Sequence, residues 1–220
     1  MIMSLINFLI IFILIFIFQS WTKADDIKDF EIEGISLGDS LLSYFNEEKI
    51  NSSFQLKYKN NKYFKVEIYS EKFNNYDQVG FYIKTNDKNY EIQSISGTIF
   101  YQKNINDCIT EKESIEKNIS NLFNEVELNS GKFSPNFDNK TFYYQTSYWF
   151  KSGDTVSITC YDWSKRIEKE KGWSDNLSVE LYTREVADFS FMTWLKPDSI
   201  QSGYFSILSP LIDDSYDQNV

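Results

Sequence analysis

The feature that most constrains this chain is a change of hydrophobic period. Between residues 63 and 101 apolar side chains recur at every second position. Between residues 105 and 126 they recur at intervals of 3, 4, 3, 4, 3 and 4, and from residue 142 the two-residue period returns. A period of two alternates side chains between the faces of a strand, whereas a period near 3.6 gathers them on one side of a helix. The helical stripe is Ile105, Cys108, Lys112, Ile115, Ile119, Leu122 and Val126, with Lys112 its one polar member. This spacing predicts a long amphipathic helix that presents Cys108 to whatever sheet it covers.

Strands are expected on both sides of that helix. Phe64, Val66 and Ile68 alternate with Tyr63, Lys65, Glu67 and Tyr69, and Val79, Phe81 and Ile83 repeat the pattern. A third strand, Tyr90 to Tyr101, should carry a bulge, because Ile92 is out of step with Ile95 and Ile99. After the helix, Glu127 to Lys140 reads as a loop. Phe142, Tyr144, Tyr148 and Phe150 then share one face. Ser152-Gly153-Asp154 makes a hairpin turn. Val156, Ile158 and Cys160 line the next strand, with Tyr161 and Trp163 opposite. Ser164 to Asp175 reads as a solvated charged loop, and Leu177, Val179 and Leu181 form the last strand. Thr183 can cap a short helix that runs to Trp194 and stops before Pro197. At the other end Ser36, with Asp39 three positions on, can open a helix through Asn46. The resulting order predicts an α+β, two-layer fold: an antiparallel sheet with helices on one face. It consists of two helix-plus-three-strand units in tandem, residues 36–101 and 105–183, within one domain spanning 25–196.

The ends of the chain read differently. Leu5 to Phe18 is apolar except for Asn7, the length of a secretory signal core and short for a membrane span. Thr22-Lys23-Ala24 offers small residues at −3 and −1 of a cleavage site before Asp25, so residues 1–24 are expected to be a signal peptide. The alternative is an uncleaved N-terminal membrane anchor. No integral membrane domain is expected elsewhere. Residues 197–220 read as a C-terminal tail, acidic at Asp213, Asp214 and Asp217. The expected location is periplasmic or secreted.

Composition narrows the chemistry. The chain of 220 residues contains no histidine, which removes Ser-His-Asp and Cys-His nucleophiles and the common zinc and iron ligand sets. The net charge of −10 disfavours nucleic acid. Cys108 and Cys160 are the only cysteines. In an oxidising compartment they are expected to form a structural bridge, the alternative being two buried thiols. Neither has a histidine to activate it as a nucleophile. No cofactor or metal site and no catalytic residue is expected. Aromatic residues make up 18% of the chain. Tyr161, Trp163 and Trp173 are the candidate ligand-facing rings, either an exposed ledge or the cover of a second layer. The leading expectation is a non-enzymatic interaction protein with an unknown protein or glycan partner. The alternative is a carbohydrate-binding or carboxylate-pair glycan-active protein, drawing on Asp154, Asp162, Glu168, Asp175 and Glu180.

The run from Ile32 to Phe45 (Ile-Glu-Gly-Ile-Ser-Leu-Gly-Asp-Ser-Leu-Leu-Ser-Tyr-Phe), with Asp107-Cys108, Cys160-Tyr161-Asp162-Trp163 and Gly172-Trp173-Ser174-Asp175-Asn176-Leu177, resembles a group of small uncharacterised secreted proteins from AT-rich marine bacteria. The resemblance spans Asp25 to Phe189 and implies an exported bacterial protein. More loosely, the doubled helix-plus-sheet order is similar to the secreted β-lactamase-inhibitor protein and to small two-layer outer-membrane assembly lipoproteins, a likeness of fold order alone. The lipoproteins' attachment cysteine has no counterpart here.

Overall fold

The computed structural model describes residues 27–194, apart from 58–61, 102–103, 121, 124–125 and 136–137, with side chains described up to residue 189. The expected signal peptide and tail lie outside the described residues. The fold is α+β, and the described residues form one eight-stranded antiparallel sheet with four α-helices. A small hairpin, β1 (Glu31–Ile32) and β2 (Ile35–Ser36), precedes it. Helix α1 (Glu47–Ser52) leads into a meander of β3 (Phe54–Lys57), β4 (Tyr63–Ile68), β5 (Gln78–Lys84) and β6 (Ile92–Phe100). Helix α2 (Ile105–Ile119) leads into a second meander of β7 (Glu127–Phe133), β8 (Phe142–Trp149), β9 (Thr155–Asp162) and β10 (Asn176–Tyr182). The strand order is β3-β4-β5-β6-β10-β9-β8-β7, so the two units meet through β6 and β10 at the middle of the sheet. Each unit carries one strand more than the alternation shows, and both extra strands, β3 and β7, are edges.

Register divides the sheet into two unlike faces. Val156, Ile158 and Cys160 stand opposite Leu181, Val179 and Leu177, and this face continues through Ile95, Phe81 and Val66. Every one of these side chains is buried in a single core. Helix α2 covers it over β9 and β10. The N-terminal segment supplies Ile27, Ile32, Ile35, Leu37 and Leu41 to the same core. The Cys108–Cys160 disulfide joins α2 to β9 with Cα atoms 6.0 Å apart. Lys112, the polar member of the stripe, is buried too, its Nζ donating to Thr146 Oγ1 at 3.0 Å and pairing with Glu116. The bulge in β6 falls at Gln93. Tyr82 pairs with Ser94 but Ile83 with Ile92, and the skipped residue lets Ile92 and Ile95 both reach the core.

Three local expectations need correction. The segment Ser36–Asn46 is not a helix: it holds a single 3-10 turn at Leu41–Ser43. Gly38 sits at φ +86, and the backbone N–H groups of Gly38 and Leu41 donate to the carbonyls of Ile92 and Tyr90, so they are spent on the start of β6 and the residues before it. Asn46, expected as that helix's end, caps the start of α1 by accepting from the Lys49 N–H at 2.8 Å. The charged loop after Trp163 contains helix α3 (Lys165–Lys171). It is opened by Ser164, whose side chain accepts from the Ile167 N–H, and closed by Gly172 at φ +68. Its mixed charges form i,i+3 and i,i+4 pairs, Lys165–Glu168 and Arg166–Glu170. Helix α4 (Arg184–Trp194) has its first N–H capped at 2.6 Å by Asp154 of the β8–β9 turn, not by the Thr183 side chain.

The bridge encloses a long loop, with partners 52 positions apart. Replacing both cysteines by serine should cost about 4 kcal/mol in the chain-entropy view. Urea denaturation of the double variant, beside a thiol titration of the unfolded wild type that finds no free thiol, measures this.

Candidate functional site

The second face of the sheet is the candidate site, because it is polar through its centre. Alternate residues place Ser94, Ser96 and Thr98 of β6 beside Tyr182, Glu180 and Ser178 of β10. These continue into Thr155, Ser157 and Thr159 of β9 and Trp149, Ser147 and Gln145 of β8. Hydroxyls and amides bond one another across and along strands: Gln145 Nε2 donates to Ser157 Oγ on β9 at 2.8 Å and to Ser147 Oγ on its own strand at 3.2 Å. Ser157, Thr159, Ser178 and Glu180 are only 0%, 1%, 4% and 7% exposed. The Ser94 and Thr155 hydroxyls, on either side of Tyr182, are buried without a hydrogen-bond partner.

A charged group crosses this floor. Gly80 has no side chain, so the Lys65 stem lies over it: a Cβ there would meet Lys65 Cε at 2.9 Å and Ser96 Oγ at 2.6 Å. Lys65 Nζ then pairs with Glu67 Oε1 at 2.7 Å, and Gln78 Nε2 donates to the other Glu67 oxygen at 2.6 Å. Burial alone would raise the Glu67 pKa, but the Lys65 charge and these two donors outweigh it and hold the carboxyl below its ordinary range. Glu180 differs. Burial dominates and pushes its pKa up, although the Tyr182 hydroxyl, Lys65 and Ser178 all favour the carboxylate. Two glutamates on one floor therefore hold protons with unlike affinity.

Described elements close the two ends of this face. At one end Val186 and Ala187 of α4 pack on Tyr63, Tyr82 and Tyr182. At the other, Ile167 of α3 packs on Tyr143, Tyr161 and Trp163, with Trp173 partly buried against them. The structure thus brings the three candidate rings together. Tyr161 and Trp163 lie parallel, 5.3 Å apart, and the Trp173 ring tilts against Trp163 at 4.8 Å. Tyr161 and Trp163 are 5% and 6% exposed, and their faces are turned on each other rather than on an open groove. Buried Asp138 braces this end. It accepts from Thr141 Oγ1 at 2.8 Å and from the Ser164 hydroxyl, linking the β7–β8 connection to the start of α3. Burial would raise the Asp138 pKa, but these hydrogen bonds and nearby Arg166 lower it overall.

The other candidate carboxylates are dispersed. Asp154 caps α4, and Asp175 accepts from the Trp163 N–H at 2.7 Å. Glu168 pairs with Lys165. Asp162 stands opposite Phe142, on the reverse face from Glu180. Among the described residues no three His, Cys, Asp or Glu side chains converge as metal ligands. Cys108 and Cys160 are joined to each other and carry no thiolate. The polar floor itself has a sequence trace in Ser94-x-Ser96-x-Thr98, Ser157-x-Thr159 and Ser178-x-Glu180, but only strand pairing shows that they meet. No protein-family model, curated protein or solved structure matches this chain.

A raised folded-state pKa means that ionised Glu180 costs stability above that pKa. The cost fades as pH falls and is gone below the unfolded glutamate value of about 4.3. Glu180→Gln should therefore raise the urea midpoint at pH 7 and lose that advantage near pH 4, as paired denaturation curves at the two pH values will show.

Proposed function

We propose that this chain is an exported, disulfide-bridged binding protein that receives a polar partner, most simply a polypeptide, on the hydroxyl-lined face of its sheet and catalyses nothing. The observation that carries this reading is the floor itself. An eight-stranded sheet with one face already committed to a core has no structural need for a second buried layer of serines, threonines, amides and a lysine–glutamate pair. Buried polar groups of this kind add little net stability and cost more whenever a partner is missing. Their chemistry suits hydrogen bonding to a peptide backbone or to polar side chains. The net charge of −10 steers basic partners towards the chain and repels acidic ones. Export is supported by the N-terminal apolar run and by a bridge of a kind that persists in oxidising compartments. The absence of histidine and the dispersal of the carboxylates favour binding over catalysis.

A photo-crosslinking phenylalanine analogue placed at Ser178, and separately at Asn118 on α2, tests this in the native host. The Ser178 chain should give a discrete intermolecular adduct, and the Asn118 chain none. Equal labelling, or no adduct from the floor, contradicts the reading. Mass spectrometry of the same material should find a mature chain that begins at Asp25.

A further inference from the structure

The two edges of the sheet are unlike. Strand β3 is four residues long, and Gln55 on it turns its side-chain amide back to the Ile50 carbonyl at 3.1 Å. Strand β7 runs for seven residues, and among the described residues it pairs only with β8. Its pairing with β8 follows without a register shift, so no bulge turns this edge away. It holds no proline. The ammonium of Lys132 is drawn inward, 3.9 Å from the Phe142 ring centroid and 4.9 Å from that of Tyr144. The usual guards of an open edge are therefore missing, and Leu128 and Phe133 stand exposed on the same strand. A long, regular edge of this kind is suited to accept another strand. We propose that β7 pairs antiparallel with β7 of a second copy of this chain, about a two-fold axis through Ser130. Two eight-stranded sheets thereby join into one. The inference is independent of what the polar face receives.

The strand's own sequence favours this occupant. A two-fold axis normal to a sheet sets core face beside core face, so paired residues must share parity. Centred on Ser130, every residue of β7 finds a partner: Glu127 with Phe133, Leu128 with Lys132, Asn129 with Gly131, and Ser130 with its own copy. Centres at Asn129 or Gly131 leave two residues at one end of each strand unpaired. With Ser130 at the centre no charge meets its like. Glu127 faces an aromatic ring, and the apolar stem of Lys132 lies beside Leu128. The Phe133 ring lies flat along its own strand, 3.0 Å from where a Cβ on Gly131 would stand, so it does not block the edge. The pairing also carries the polar face of one sheet on into that of the other. A ladder of seven residues is only about 23 Å long, and each copy carries a net charge of −10. Association is therefore weak, and it tightens as salt screens the repulsion.

Analytical ultracentrifugation of the purified chain, over an about hundredfold range of concentration, tests this with no other protein present. A reversible monomer–dimer equilibrium is expected, shifting towards dimer as salt rises from about 20 mM to about 300 mM. A chain that stays monomeric throughout overturns the inference and leaves the edge to a strand of a different protein. Two substitutions at exposed Leu128 then test the register. Leu128→Glu sets an acid opposite Lys132 of the second copy, twice over by symmetry, and should tighten the dimer about fivefold. Leu128→Lys sets like charges together twice and should weaken it at least about tenfold. Net charge alone predicts the reverse order, because Leu128→Glu makes an acidic chain more acidic. Loss of an apolar contact alone predicts that both variants weaken. Either of those results overturns the pairing. Should a variant fail to fold by circular dichroism, amide hydrogen exchange of the wild type decides instead. Exchange across residues 127–133 should slow as the dimer forms, and exchange in β3 should not. Unchanged exchange across 127–133 overturns the inference. Neither readout involves Ser178, so failure here leaves the binding function standing, and loss of the Ser178 adduct leaves the dimer standing.

Discussion

The structure depends on the covalent tie between α2 and β9. The helix that carries it is a weak element by itself. Of its stripe only Cys108 and Lys112 are fully buried, while Ile105, Ile115 and Ile119 are half-buried at the margin of the core. An amphipathic helix with so shallow an apolar face gains little from packing. The Cys108–Cys160 bond fixes it over β9 and β10, on the face that Val156, Ile158, Leu177 and Val179 line. Lys112 then meets Thr146 rather than water, and the N-terminal hairpin completes the layer.

Commitment of one face to the core leaves the other free for a different purpose. Glycine at position 80 lets Lys65 lie flat, Lys65 holds Glu67, and the cross-strand hydroxyls and amides satisfy much of the remaining floor. A network of this kind is demanding, since each member depends on the others and an orphaned atom is costly. Ser94 and Thr155 are such orphans. Their presence beside Tyr182, with Glu180 held towards its protonated form, fits a surface shaped for contact more than for stability.

Half-buried elements were legible in the sequence, and elements with no burial contrast were not. Strands β4, β5, β8, β9 and β10 alternate cleanly because one of their faces enters the core, and the bulge in β6 follows from the parity of Ile92 against Ile95. Strand β7 carries no alternation to read because it buries nothing: its apolar residues Leu128 and Phe133 are 58% and 41% exposed. Helix α3 is nearly all charged, and its signal lay in Ser164 and Gly172 rather than in any apolar period. The positions of Cys108 and Cys160 on facing surfaces were readable from two independent periods. The polar floor was not. Alternating serines and threonines look like an ordinary solvated strand face until register brings four strands of them together. The rings of Tyr161 and Trp163 stand out in the sequence, and the fold uses them to close one end of that floor.

The central claim is that the polar face is maintained for contact and not for folding. The most direct measurement is the urea unfolding free energy of a chain in which Gln145→Leu, Ser147→Ala, Ser157→Val and Thr159→Val are made together, so that the bonded group becomes apolar as a whole. Replacing all partners of a buried network by apolar groups of similar shape is nearly neutral when the network contributes little net stability. The account predicts a midpoint equal to or above that of the wild type, with loss of the intermolecular adduct from Ser178. A lower midpoint, with several kcal/mol of unfolding free energy lost and the adduct retained, would show instead that the floor is a second core.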